Sequence, residues 1–206
     1  MIDINYRQNA SKSADIVSAT AHGDAGQGMT DVLVRTARRE DAEAIARIYA
    51  HHVRNGTASF DTLPRTPGET EAKIADILGK QWPFLVAERS GVILGYAYAT
   101  SFRDRPAYGF TCENSIYVDA DHVGQGVGVA LLGSLMTQAT RCGFRQMMAV
   151  IGGGEPASVA LHSKMGFAHV GRMRSIGRKF GRWLDTVYMQ AELGEGDRSA
   201  PEQEPV

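Results

Sequence analysis

The chain has 206 residues, of which 43% are hydrophobic and 22% charged, and its formal net charge at pH 7 is −1. This length and composition indicate one soluble globular domain and exclude a disordered or collagen-like chain. A charge near zero gives no overall attraction to nucleic acid, and no apolar run approaches the roughly 18–20 residues of a membrane span, so we expect neither nucleic acid nor membrane as a partner.

The two ends of the chain differ in composition from the middle. Residues 1–30 are rich in Ser, Ala, Gly, Asn and Gln, and residues 194–206, GEGDRSAPEQEPV, consist largely of Gly, Pro and acids. The first segment is predicted to be a disordered N-terminal extension, and the second a disordered acidic tail. Met29 precedes the first strand pattern, which leaves open whether residues 1–28 belong to the native protein. Residues 31–193, with a net charge of +3, are predicted to form one domain.

Hydrophobic periodicity predicts two helices and four strands in the first half of this domain. The spacing of Ile45, Ile48, Tyr49 and Val53 is typical of one helix face, and Thr66-Pro67 is a typical helix start. Ser90-Gly91 lies between two apolar runs, as in a tight hairpin. The predicted elements are, in order, a strand at 31–37, a helix at 40–54, a helix from 66, a hairpin at 84–102, and a strand at 109–118.

The second half continues the alternation. A helix is predicted at 126–141, a buried strand at 144–151, a short helix at 156–165 and two final strands, with Gly166 at a left-handed C-terminal cap. The order β-α-α-β-β-β-α-β-α-β-β predicts an α/β (α+β) fold, with a mixed sheet that carries helices on its faces around one core.

The segment 115–132, SIYVDADHVGQGVGVALL, is the richest in functional signals. A strand ends, and Gly124, Gly126 and Gly128 then lead into a helix. Glycines allow close approach of the backbone to a ligand, and the N–H groups of a helix N-terminus attract phosphate. A dinucleotide fold would need an acid at the end of the next strand, and a P-loop would need Gly-Lys-Ser/Thr. Neither is present.

The glycine loop after a strand, followed by a helix, a strand and a helix ending in LHSKMGF, resembles the GNAT family of acetyl-CoA-dependent N-acetyltransferases over Val34–Leu193. Further stretches resemble the phosphinothricin and methionine sulfoximine acetyltransferase branch. These stretches are NGTASFDTLP (55–64), RDRPAY (103–108), CENSIYV (112–118), MAVIGGGEPASVALHSKMGF (148–167) and GRKFGRWLDTVYMQ (177–190). The resemblance implies a GNAT-like, mostly antiparallel central sheet with helices on both faces.

The resemblance also implies a set of cofactor contacts. The strand residues Ile116, Tyr117 and Val118 would pair with the pantetheine arm of acetyl-CoA. The family's loop usually begins with Gln or Arg where this chain has Val123, and Glu155 stands where relatives often have Asn. Glu155 is therefore either a cofactor contact or an acid at a helix N-terminus. The pyrophosphate would be held by the main chain of Gly124, Gln125, Gly126, Val127, Gly128 and Val129.

Acetyl transfer to an amine needs a base, because an ammonium has no lone pair. Glu113 matches the branch's catalytic glutamate and is the candidate base, direct or through a water; otherwise it is an exposed strand acid. His162 stands where many GNAT enzymes have a tyrosine that protonates the thiolate. It could serve as acid or base, or pack beside the cofactor. No metal site is predicted, since the chain shows no ligand spacing.

Recognition of an amino acid requires a group for its carboxylate. The resemblance assigns this to Arg105, whose planar guanidinium suits a carboxylate, with Phe60 as an apolar wall and Tyr108 as a hydrogen-bond donor. The alternatives are a solvated arginine and core aromatics. Branch members are homodimers, and the 177–183 turn could reach the partner's site.

The sequence therefore predicts a cytoplasmic N-acetyltransferase that acts in a ternary complex on the α-amino group of a small amino acid or analogue. The favoured acceptors are phosphinothricin, methionine sulfoximine and methionine sulfone. Two alternatives stay open. One is a GNAT enzyme for a polyamine, an aminoglycoside or a protein N-terminus, and the other is a non-catalytic CoA-binding sensor. The two cysteines, Cys112 and Cys142, form no disulfide framework, which fits a reducing cytosol.

Overall fold

A computed structural model describes residues 32–202 of the chain. Residues 1–30 and 203–206, for which the sequence predicts disorder, lie outside the described residues. The adjoining segment 194–202 forms turns, in which Glu195 lies 3.4 Å from Arg145 and Arg198 lies 2.7 Å from Glu192.

The element order predicted from the sequence is confirmed. The strands are β1 (Leu33–Thr36), β2 (Phe84–Arg89), β3 (Val92–Ser101), β4 (Thr111–Val118), β5 (Gln146–Gly152), β6 (Ala168–Lys179) and β7 (Arg182–Glu192). The helices are α1 (Ala42–Asn55), α2 (Pro67–Gly79), α3 (Val127–Arg141) and α4 (Pro156–Lys164).

Local signals account for several boundaries. Thr66 and Glu69 form a capping box at the start of α2, in which each side chain accepts a hydrogen bond from the other residue's backbone N–H. Gly166 follows α4 with a φ of +87°, the left-handed conformation that glycine adopts without steric cost. The predicted hairpin of β2 and β3 turns at Ser90-Gly91, where both residues have positive φ.

All seven strands form one sheet in the order β1-β2-β3-β4-β5-β7-β6. Every neighbouring pair is antiparallel except β4 and β5, which run parallel. The predicted mixed, mostly antiparallel sheet is therefore confirmed.

The helices cover both faces of the sheet. On one face α1 and α2 bury residues such as Ile45 and Ile74 against Phe84 and Tyr96. On the other face α3 buries Leu131 and its neighbours, and Leu161 of α4 packs against the same cluster. Within residues 32–202 no helix has the length and apolar character needed to cross a bilayer.

The parallel pair at the centre of the sheet is short. Pairing of β4 with β5 runs from Thr111↔Gln146 to Asn114↔Ala149 and then ends, although β4 continues to Val118 and β5 to Gly152. The two strands therefore part at Asn114 and leave a cleft in the middle of the sheet, which positions the candidate site.

Candidate active site

The cleft between the parted strands brings together predicted residues from two elements, β4 and α4. Ile116 and Tyr117 of β4 line one side, β5 lines the other, and His162 of α4 closes the end. The space between them is about 40 Å³. Its full lining is Ala58, Asn114, Ile116, Tyr117, Ala149, Val150, Ile151, Ser158 and His162.

The edge of β4 beyond Asn114 is suited to an extended ligand. Because β5 does not pair with residues 116–118, an amide-containing chain could hydrogen-bond to this edge as an added strand. The ring Nε2 of His52 lies 2.8 Å from the carbonyl oxygen of Val118 and anchors the end of the strand. His52, interpreted from the sequence as structural or surface, is thus half-buried under the cleft's outer end.

The glycine loop follows β4 directly. Gly124 and Gly126 have φ values of +81° and +82°, and a Cβ at either position would meet no atom within 4 Å. The N-cap of α3 is Gly126, which has no side chain to accept hydrogen bonds from the first N–H groups of the helix. The first turn of α3 also carries no acidic residue. The N–H groups of this turn are therefore available to an anion.

Two neighbours shape the loop. The guanidinium of Arg89 donates to Gln125 Oε1 at 3.0 Å, and Gln125 Nε2 donates to the carbonyl of Asp121 at 3.2 Å. A Cβ on Gly128 would come within 3.1 Å of Leu161, so glycine at this position allows α3 to approach α4 closely. Val123, the departure from the family's pattern, is exposed.

Glu113 lies at the start of β4 on the face that α1 and α2 cover. Its neighbours on that face include Lys73 of α2 and Arg103 of the β3–β4 loop, whose positive charges favour the carboxylate. Burial has the larger effect and raises the pKa of Glu113 above its ordinary value. A carboxylate with a raised pKa is a stronger base, which suits the role predicted from the sequence.

His162 is 2% exposed and lies on the opposite face of the sheet. Its ring Nε2 is 3.0 Å from Asn114 Oδ1, and its Nδ1 is 2.7 Å from the carbonyl oxygen of Ser158. Burial lowers the pKa of the imidazole. Successive strand residues point to opposite faces of the sheet. Glu113 therefore lies on one face, and His162, which Asn114 contacts, lies on the other.

The candidate acceptor residues lie in two loops, one between β3 and β4 and the other between α1 and α2. Arg105 and Tyr108 flank a short 3₁₀ turn between β3 and β4, and Tyr108 packs edge-on against Phe102 at 5.8 Å. Both are exposed. Phe60, in the loop between α1 and α2, packs so closely on Gly177 and Gly152 that a Cβ there would come within 2.1 Å and 3.0 Å of its ring. Phe60 thus lies beside β5 and β6.

Glu155 precedes α4 as its N-cap and makes no side-chain capping bond. Its negative charge favours protonation of His52, so both residues lie near the outer end of the cleft. Within residues 32–202 no group of three or more His, Cys, Asp or Glu could hold a metal ion.

The sequence analysis missed two polar residues of this region. Asn114 is 6% exposed and joins the parted strands, since its amide also donates to the Met148 carbonyl at 3.1 Å. A polar amide in an apolar strand was the available signal, because asparagine is disfavoured in strands. Lys179 is 6% exposed, and its Nζ donates to the carbonyls of Gly56 and Ser59 at 3.0 and 2.7 Å. No local pattern could indicate a contact across 120 residues.

Lys179 therefore fastens the Phe60 loop to the end of β6. We expect Lys179→Met to lower the free energy of unfolding by about 1–3 kcal/mol, since two buried carbonyls lose their donor, and to speed amide hydrogen exchange in residues 56–61. Denaturant titration and exchange mass spectrometry measure both. Lys164→Met, at an exposed lysine, is the control. Unchanged exchange in the loop would show that Lys179 does not hold it.

Comparison with known proteins identifies the family of the chain. The model of the GNAT acetyltransferase domain matches residues 34–188. A phosphinothricin N-acetyltransferase of Alcaligenes faecalis is 49% identical over 170 residues, which cover 82% of this chain and 86% of the relative. An L-methionine sulfoximine/L-methionine sulfone acetyltransferase of Salmonella typhimurium is 38% identical, with 79% and 95% covered. The crystal structure of a phosphinothricin acetyltransferase from Sinorhizobium meliloti with AcCoA has a TM-score of 0.82 and 43% identity, with 86% and 96% covered.

Proposed function

The chain belongs to the GNAT family of acetyltransferases and is an acetyl-CoA-dependent N-acetyltransferase, and we propose that it acetylates the α-amino group of small amino acids and their analogues. The favoured acceptors are phosphinothricin, methionine sulfoximine and methionine sulfone, which the curated relatives' names give as their substrates. The observation that carries the proposal is the position of Glu113: a half-buried carboxylate on the face opposite α3 and α4, at the strand where the sheet opens.

The proposed cofactor contacts follow the parted strands. The edge of Ile116, Tyr117 and Val118 would pair with the pantetheine amides, and the N–H groups of residues 124–129 would hold the pyrophosphate. Glu155 would accept a hydrogen bond from a pantetheine amide but cannot donate one. The positive φ of Gly124 and Gly126 and the uncapped start of α3 fit this role.

Acetyl-CoA supplies the acetyl group as an activated thioester. Glu113 removes the proton from the acceptor's ammonium, directly or through a water, so that the free amine attacks the carbonyl carbon. The C–S bond then breaks, and the departing thiolate needs little help because a thiol's pKa is about 8.5. Orientation of the two reactants supplies much of the acceleration.

Direct transfer in a ternary complex is favoured over a cysteine acyl-enzyme. The chain has two cysteines. Burial raises the pKa of Cys112 to about 12, so its thiolate is not available near neutral pH. The thiol of Cys142 follows α3 and contacts the Gln81 carbonyl at 3.1 Å, away from the cleft. Two free cysteines also fit the cytoplasmic location that we propose.

Arg105 would bind the acceptor's carboxylate, with Tyr108 as a donor to its polar tip and Phe60 as an apolar wall. The exposed guanidinium of Arg105, on the turn that leads into β4, supports the first of these roles. A cationic polyamine would instead meet the positive charges of Arg103 and Lys73 around Glu113, which disfavours that acceptor.

Thiol release from acetyl-CoA tests the proposal with a panel of phosphinothricin, methionine sulfoximine, methionine sulfone, lysine, spermidine and a peptide. We expect release with the first three. If thiol is released only with spermidine or only with the peptide, the protein is still an N-acetyltransferase, but the proposed amino acid acceptors are wrong. If the protein binds CoA but no amine of the panel causes thiol release, the alternative of a non-catalytic CoA-binding sensor is favoured.

We also propose a homodimer that uses the β6–β7 hairpin. β6 is an edge strand, and the hairpin exposes five large apolar side chains: Val170, Met173, Ile176, Phe180 and Trp183. Such an edge is normally covered or charged. Light scattering is expected to give twice the chain mass, and the double variant Ile176→Glu/Trp183→Glu is expected to be monomeric. A monomer in the unmodified protein at micromolar concentration would contradict the proposal.

A further inference from the structure

The His162 ring lies between oxygen acceptors at both nitrogens. Nε2 faces Asn114 Oδ1 at 3.0 Å, whereas Nδ1 faces the Ser158 carbonyl at 2.7 Å and the Ser158 hydroxyl at 3.4 Å. A neutral imidazole has one N–H and one lone pair. It can therefore donate to only one of the two oxygens, and the surroundings decide which nitrogen keeps the proton.

Met148 fixes the orientation of the asparagine. Its carbonyl lies 3.1 Å from the Asn114 amide nitrogen and can only accept a hydrogen bond. If the amide were turned over, two oxygens would face each other at this distance. Asn114 therefore directs its oxygen at His162, and within the described residues no hydrogen-bond donor faces Nε2 that could satisfy this nitrogen without its proton.

The other nitrogen has an alternative partner. The Ser158 carbonyl at 2.7 Å would accept a proton held at Nδ1, but the Ser158 hydroxyl at 3.4 Å can instead donate to an unprotonated Nδ1. Nε2 has no such alternative partner, and this difference favours the proton at Nε2 in the neutral ring, whereas the cationic ring donates at both nitrogens. Nδ1 is then the nitrogen that titrates, and it faces helix α4.

No second ionisable group competes for this proton. Within the described residues no ionisable side chain is hydrogen-bonded to the ring, and its other close neighbour is the edge-on ring of Phe167 at 4.9 Å. Glu113 on the same strand faces the other side of the sheet. Cys112, on the face of Asn114, directs its sulfur to the Gln146 carbonyl at 3.6 Å.

We propose that Asn114 is a positioning residue that holds the proton of His162 at Nε2, so that the ring donates to Asn114 and does not act as a base at the cleft. This rests on the proposed function and leaves removal of the amine's proton to Glu113. The hydrogen-bonded chain from Ser158 through His162 and Asn114 to Met148 also ties α4 to both strands where the sheet parts.

Long-range ¹H–¹⁵N NMR on the full chain labelled at histidine reads the tautomer without turnover. We expect His162 Nε2 to stay pyrrole-like across the titration while Nδ1 shifts. In Asn114→Leu the proton is expected to move to Nδ1, where the Ser158 carbonyl accepts it. In Asn114→Asp, which keeps an acceptor, Nε2 stays protonated and the titration midpoint of the ring rises. A pyridine-like Nε2 in the unmodified protein, or the same tautomer in Asn114→Leu, would overturn the proposal.

Kinetics separates this proposal from the proposed function. His162→Gln is expected to lower kcat but to keep the acidic limb of the pH profile of kcat/KM, because the titrating base remains. Loss of that limb in His162→Gln would make the histidine the base and overturn the proposal, even if acetyl transfer itself is confirmed. Absence of any acetyl transfer would refute the proposed function and leave the NMR result unaffected.

Discussion

Glu113→Gln is expected to lower kcat by about 10²–10⁴-fold, the usual contribution of a positioned general base. The amide has the size of the carboxylate but cannot take up a proton from the acceptor ammonium. KM for acetyl-CoA is expected to change little, because Glu113 lies on the face opposite α3 and α4 and the proposed pyrophosphate contacts are N–H groups of the α3 start. Steady-state kinetics with phosphinothricin measures both constants.

The control is Glu43→Gln, which removes an exposed carboxylate in the first turn of α1. The pH profile provides a second check. The ionised carboxylate is the active form, so kcat/KM should fall as the pH drops through the pKa of Glu113. Because burial raises that pKa, the fall should begin at a higher pH than for an ordinary glutamate. A Glu113→Gln enzyme with near-normal kcat and the same acidic limb would disprove the base assignment.

Gly126→Asp is expected to weaken acetyl-CoA binding tenfold or more relative to Gly126→Asn. Both side chains tolerate positive φ better than other residues, and a Cβ at Gly126 meets no atom, so both variants should fold. Only aspartate adds a negative charge where the pyrophosphate is proposed to bind. Repulsion between charges 4 Å apart costs about 1 kcal/mol in water and about 4 kcal/mol near a protein surface.

Isothermal titration with CoA measures the difference between the two variants at equal ionic strength. It should shrink as salt is added, because salt screens exposed charges. Equal affinity of the aspartate and asparagine variants for CoA would place the pyrophosphate elsewhere and remove the role proposed for the start of α3.

The fold was predictable because its local signals agree with one another. The helical spacing of Ile45, Ile48, Tyr49 and Val53, the Thr66 cap and the Ser90-Gly91 turn each specify an element within a few residues. The order of strands in the sheet depends on contacts distant in the sequence. Periodicity does not predict it, and the resemblance to GNAT proteins implied only that the sheet is mostly antiparallel.

The candidate site was predictable to the extent that its residues stand in contiguous motifs. The glycine loop and the ENSIYV strand carry Glu113 and the cofactor edge in adjacent positions. The tie between His162 and Asn114 spans 48 residues, and that between Lys179 and Ser59 spans 120. Such pairs leave no mark on local spacing, so the sequence did not show that both His162 nitrogens are occupied.

Methionine sulfoximine gives the most direct test of the central claim, because it carries two nitrogens that could be acetylated. The protein would be incubated with acetyl-CoA and this acceptor, and the product analysed by NMR alongside a thiol assay. The account predicts one thiol released for each acetyl group on the α-nitrogen, with both lost in Glu113→Gln. Acetylation of the sulfoximine nitrogen, or thiol release without an N-acetyl product, would contradict it.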